Sequence, residues 1–177
     1  MRRLTETKNK LMTWTRLDGR HYELTSGGAI FASLTWNSLF GSLATGTTAH
    51  GQWTVKRMGF FRPRVTVRLL DHDTDLATMQ YHQCGVSVLQ LHDGTLYHWK
   101  ATKRRRSERG FYTADGELVL SCVPRTRWFR FEADMLIEPG QEKCRDLSLL
   151  VLLSWYRLVL ENDDDTAAAA AVCCAVM

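Results

Sequence analysis

From residue 11 to about 137, apolar residues recur at every second position in short runs separated by turn residues, the period of antiparallel strands with one buried face. Ile30, Ala32, Leu34 and Trp36 share one face of such a run, Trp53 and Val55 one face of a second, and Val65, Val67 and Leu69 one face of a third, while Thr54, Lys56, Thr66 and Arg68 point the other way. Further runs at 76–82, 86–91, 96–99, 118–122 and 128–137 bring the total to roughly ten strands, which suits a barrel or a sandwich. Asp18-Gly19, Asp93-Gly94 and Asp115-Gly116 fall between runs, where Asp-Gly favours tight hairpin turns.

The pattern changes at Leu147. In LSLLVLLSWYRLVL, residues 147–160, only Ser148, Ser154 and Arg157 interrupt the apolar residues, and those three do not form one polar stripe. The spacing predicts a helix that is apolar nearly all round, surrounded by protein, with Asp146 as its N-cap. Fourteen residues give about 21 Å of helix, short of the about 30 Å hydrocarbon core, so no transmembrane span is expected. Arg157 must then reach a carboxylate or the edge of the core. The acidic run Asp163 to Asp165 ends the apolar stretch, and the Ala-rich end from Ala167 reads as a short helix or a frayed tail.

A sheet of many strands followed by one all-round apolar helix, with the phrases Gly51-Gln52-Trp53-Thr54-Val55-Lys56-Arg57, Leu91 to Trp99 and Leu149 to Tyr156, resembles the tubby C-terminal-like superfamily, which includes LURP-one-related proteins and phospholipid scramblases. The resemblance implies a mainly β fold: a closed antiparallel β-barrel of roughly ten to twelve strands over residues 11–160, enclosing the helix. A basic segment, 1–10, precedes it and an acidic, then Ala-rich, tail, 161–177, follows. It also implies a non-enzymatic role connected with anionic phospholipids, although no phosphoinositide-binding motif maps onto this chain residue by residue. A lipocalin-like barrel is the structural rival, because Gly51-Gln52-Trp53 fits its G-x-W phrase. There, however, the phrase opens the first strand and the helix packs outside.

The chain is long enough for one domain without a disulfide scaffold, and its five cysteines show no C-x-x-C spacing, which suits reduced thiols in a cytoplasmic protein. No apolar run follows the basic start, so no secretory signal is expected. The net charge of +4 is modest, and only its clustering bears on partners. Lys103, Arg104, Arg105 and Arg106, with Lys100 and Arg109 nearby, read as a basic hairpin tip able to hold phosphate oxygens on an anionic membrane surface. Lys56, Arg57, Arg62, Arg64 and Arg68 form a second set, of which Lys56, Arg64 and Arg68 share an outward face. A solvated surface is the competing reading of both sets. Nucleic acid is the weaker polyanion partner, and a structural or protein-interaction domain without lipid affinity is the alternative.

His72, His82, His92 and His98 are irregularly spaced; even with Cys84 beside His82 they imply no metal geometry, and no cofactor is expected. Asp71, Asp73 and Asp75 read as turn residues. There is no nucleophile elbow, P-loop or dinucleotide fingerprint. Cys174-Ala175-Val176-Met177 formally matches a prenylation pattern, with Cys173 beside it, but the Ala and Val run makes that match easy by chance and the upstream residues are acidic.

Overall fold

The computed structural model describes the chain except residues 7–10, 39–40, 60, 83–84, 105–106, 128–129 and 176–177, and describes no side chain for 6, 127 and 168–175. Twelve strands run in chain order: β1 (Met12–Arg16), β2 (His21–Ser26), β3 (Ala29–Trp36), β4 (Ala44–Thr48), β5 (Gly51–Met58), β6 (Arg64–Leu69), β7 (Asp75–Tyr81), β8 (Ser87–Leu91), β9 (Leu96–Ala101), β10 (Arg109–Thr113), β11 (Leu118–Arg127) and β12 (Arg130–Ile137). Each pairs antiparallel with its sequence neighbour, and β1 pairs with β12, so the sheet closes as an up-and-down barrel with no free edge. Successive strands reverse. Turns after odd strands therefore share one end, called the rim here, and turns after even strands share the other, the base.

A barrel of this many strands is too wide for wall side chains alone to fill. The helix α1 (Leu147–Ala175) fills it, entering from the base and leaving at the rim. Residues 147–160 are all buried, as the sequence predicts. Trp155 stacks on Trp14 of β1 at 5.5 Å and on Phe131 of β12 at 5.5 Å, and Tyr156 stacks on Trp36 of β3 at 5.5 Å. Such ring pairs add to their area burial. The Tyr156 hydroxyl donates to the Ser42 carbonyl at 2.5 Å, tying the helix to the β3–β4 connection.

Among the described residues strand pairing shifts register at three bulges, between β2 and β3, β6 and β7, and β10 and β11, the last leaving both Val119 and Leu120 buried. Between β2 and β3 the register shifts so that Leu24 faces Ala32 and Thr25 faces Ile30; the extra residue, Phe31, is buried and Ile30 is left exposed. Between β6 and β7 the extra residue is Leu76 of β7; Leu69 stays paired with Trp53 on β5 and is 40% exposed as the last residue of β6, at the base. Strand β4, ATGTT, carries almost no apolar signal for a packing reason. A Cβ on its central Gly46 would lie 2.8 Å from Leu152 Cδ1, so the helix passes too close for a larger inward residue.

The helix does not end at the acidic run. It continues through Asp163–Asp165 to Ala175, helped by alanine's high helix propensity. Asp146 does occupy the N-cap position, since its carbonyl accepts from the Leu150 amide. The basic N-terminal segment contributes to the core through Leu4, which is buried. All three Asp-Gly pairs lie in turns, with Gly94 and Gly116 at positive φ. No helix among the described residues is long and apolar enough to cross a membrane.

Candidate functional site

At the rim the emerging helix meets the turns after odd strands. Arg157, on the last buried turn, donates from Nη2 to Glu161 Oε1 at 2.7 Å and lies over the Tyr81 ring at 4.2 Å. The same carboxylate oxygen accepts from Trp99 Nε1 at 3.2 Å, and Arg109 Nε lies 3.7 Å from Glu161 Oε2. The guanidinium demanded by the sequence thus finds its carboxylate one turn on, at the mouth of the barrel. Among the described residues its Nε has no hydrogen-bond partner.

Beside this knot is a cavity of about 730 Å³ between the β1–β2 turn, the β3–β4 connection, β5 and the helix. Arg16, Arg20, Lys56 and Arg57 line it, with Tyr22 and Trp36 as an aromatic wall and Asp163 as the acidic residue on the lining. Arg16 donates from Nε to the Asp18 carbonyl at 2.9 Å and from Nη2 to the Gly19 carbonyl at 2.7 Å, so the turn orients the guanidinium without neutralising it. Arg57 bonds both oxygens of Asp164, at 3.0 and 2.8 Å. Burial lowers the Arg57 guanidinium's pKa, but the Asp164 bond and charge, with smaller contributions from Tyr81 and Tyr156, together leave it raised. Burial raises the Asp163 carboxyl above its ordinary range, against a bond from Asn162 and the nearby Arg57 and Arg16 charges. Several cations from separate segments around an aqueous recess can coordinate the oxygens of a phosphate.

The basic residues singled out from the sequence divide into groups. Lys56 faces Thr66 across the β5–β6 ladder, and Arg64 and Arg68 flank Thr66 on its own face, so the three share the outer wall as expected. Arg68 is held by Asp75 at 2.6 Å; Lys56 and Arg64 are exposed. On the other hairpin, Lys100 lies over the Tyr112 ring at 4.4 Å, Lys103 is exposed, and Arg104 forms a two-pronged pair with Glu138 at 2.7 and 3.0 Å. Because Glu138 follows the base end of β12, the Arg104 side chain runs along the outer wall, while Ser107 and Arg109 border the helix at the mouth. Within the turn Thr102 Oγ1 donates to the buried Glu108 at 2.6 Å. Arg105 and Arg106 lie outside the described residues, as do Cys84 and the end of the Cys174–Met177 pattern. The two basic hairpins are at the same end but stand apart, since β7 and β8 separate β6 from β9, about 14 Å at the usual strand spacing.

Arg16 and Arg20 were not singled out from the sequence; the available signal was two arginines bracketing the predicted turn Asp18-Gly19. The base differs. There a cavity of about 530 Å³ is lined by Leu4, Trp53, Leu91 and Leu147 and carries the pair His50 Nδ1 and Ser148 Oγ at 3.0 Å. No carboxylate orients His50 among the described residues, so this pair lacks the third member of a nucleophile triad. The Tyr97 hydroxyl donates to Asp146 at 2.9 Å, and Arg145 bonds Asp93 across the entry of the helix. Among the described residues no three His, Cys, Asp or Glu gather as a metal site. Compared with models of known families, with curated proteins and with solved structures, the chain matches none.

Proposed function

We infer that the protein is a non-catalytic, tubby-like barrel that works at the periphery of a membrane by binding anionic phospholipid headgroups at its rim. One observation carries this: Arg16, Arg20 and Arg57 line a single cavity large enough for a headgroup, Lys56 borders it from the outer wall, and Asp163 is the opposing charge on its lining. A phosphodiester satisfies cations in such a recess through charge-assisted hydrogen bonds, and the Tyr22 and Trp36 rings suit the less polar glycerol portion. The twelve-stranded barrel around an axial helix agrees with what the family resemblance implies and supports the same reading.

Flotation with phosphatidylcholine vesicles, with and without phosphatidylserine, tests it at low salt. Binding requires the anionic lipid and weakens with salt. Arg20→Gln and Lys56→Gln each lower affinity by about fivefold, from about 1 kcal/mol per basic residue near a charged surface, whereas Asp164→Asn, which releases Arg57, raises it. Failure of the native protein to float with anionic vesicles refutes the reading. Saturation by soluble glycerophosphoserine alone would point to a free phosphate ester instead.

A structural or protein-interaction barrel without lipid affinity is the second reading. It draws on Arg68, Arg104 and Arg109, each already close to a carboxylate and so contributing less free charge. Its mark is one stoichiometric protein partner together with no flotation.

A further inference from the structure

The cavity accounts for the charge at the rim but not for its apolar side chains. Phe61, in the turn between β5 and β6, is 93% exposed, well beyond any other large apolar residue described. A single exposed apolar residue needs no explanation. This one stands between a ladder and a tip that carry Arg62 and Arg64, both exposed, with no carboxylate from Met58 to Arg64. The β1–β2 turn repeats the pairing at the same end, with Leu17 57% exposed between Arg16 and Arg20.

Gly59 takes a φ of 83°, and a Cβ there would come 2.8 Å from the Arg62 carbonyl oxygen, so only glycine fits; Pro63 restricts the chain on the far side. The base also exposes apolar side chains, Leu69 and Leu96 among them, but these sit beside Asp71, Asp73 and Asp93, which an anionic surface repels.

We propose that the rim docks on an anionic bilayer with Phe61 as its wedge, entering the boundary between headgroups and acyl chains while Arg62 and Arg64 engage phosphate oxygens beside it. Leu17 makes a second, shallower contact. The docked barrel stands with its base toward water. This rests on the headgroup reading above for its choice of partner, and adds an orientation and an apolar contribution that salt does not screen. Interfacial side chains of this kind reach about 5–10 Å into the boundary region.

Phe61→Ser and Phe61→Trp test it, both at a position exposed enough to leave the fold intact, as a melting curve confirms. On phosphatidylcholine–phosphatidylserine vesicles, Phe61→Ser weakens binding by about tenfold, with the loss persisting at high salt, where charge contacts are screened. Phe61→Trp binds at least as tightly as the native protein. Its emission is quenched by brominated acyl chains beyond the quenching of the six native tryptophans. If the native protein floats but Phe61→Ser floats equally and Phe61→Trp gains no quenching, the orientation is wrong while headgroup binding stands. If that insensitivity is joined by loss of a protein partner in Phe61→Ser, the tip is a protein contact. No flotation of the native protein refutes both inferences.

Discussion

The two ends of the barrel are built from the same kind of turn but opposite charge. Turns after even strands carry Asp71, Asp73, Asp93 and Asp115; turns after odd strands carry Arg20, Arg62 and Lys103. The acidic residues of the rim turns are engaged, Asp18 accepting from the Arg20 and His21 amides and Glu108 from Thr102, whereas the emerging helix carries Asp163, Asp164 and Asp165 out of the same end. The packing differs too. At the base Leu4 is buried and Arg145 and Tyr97 strap the helix entry, whereas at the rim the helix runs on beyond the strands, with Arg57 and Arg109 beside its acidic residues. A net charge of +4 conceals this separation, because it is strand direction that sorts the charges. Polarity along the axis gives the molecule one end suited to anions and one suited to closure.

The helix joins those ends, so the largest effect comes from cutting its grip on the wall. Leu152 is fully buried against Gly46 and Leu34. Leu152→Asp places a carboxylate in that contact and is expected to cost more than about 4 kcal/mol, abolishing soluble folding. Deletion after Thr166, which removes only helix beyond the barrel, leaves the melting temperature nearly unchanged. A soluble Leu152→Asp protein with a cooperative melt would contradict the axial role.

Next in size is the knot at the rim. Glu161→Ala leaves the Arg157 guanidinium buried beneath Tyr81 without its carboxylate. An effect of about 2 kcal/mol in urea unfolding follows, smaller than for a fully buried pair because Glu161 keeps 26% side-chain exposure. Adding Arg157→Met recovers most of that loss, since an apolar chain of similar length needs no partner. If the double variant is no more stable than Glu161→Ala alone, the buried charge is not the cause.

The sequence made the barrel wall and its axis readable because both rest on periodicity: alternation for the strands, and a run without a polar face for residues 147–160. It was silent where packing overrides period. Strand β4 looks like a loop because Gly46 is shaped by Leu152, Ile30 looks internal because a bulge lies in the pairing of two strands rather than in either one, and Leu69 looks internal although it sits at the open end of its strand. The site was half legible. Lys56 and Arg57 stood out as neighbours in a basic run, but Arg16 and Arg20 join them only through the curvature of the sheet from β1 to β5, and Arg104 is held along the outer wall by Glu138, 34 residues later. Charge runs report density, not where strand tilt delivers it.

The smallest effect separates the ends by pH. Asp93 at the base accepts from the Thr95 amide and from Arg145, and these bonds hold its carboxyl down at about 2. A depressed carboxyl contributes stability that is present above its ordinary pKa, about 3.8, and is lost as pH falls toward 2. Asp163 at the rim has the opposite sign. Burial raises its carboxyl, so the folded state holds the proton more tightly, and its contribution declines as pH rises from 3.8 through the raised value. Protection of the Thr95 amide, corrected for intrinsic exchange, should therefore fall on acidification in the native protein, and Asp93→Asn should abolish that dependence. Asp163→Asn should melt slightly above the native protein at neutral pH, with the gap closing in acid. A gap that instead widens in acid would mean that Arg57 and Arg16 stabilise the Asp163 charge more than burial opposes it, and the rim would then be neutralised from within rather than held open for an anion.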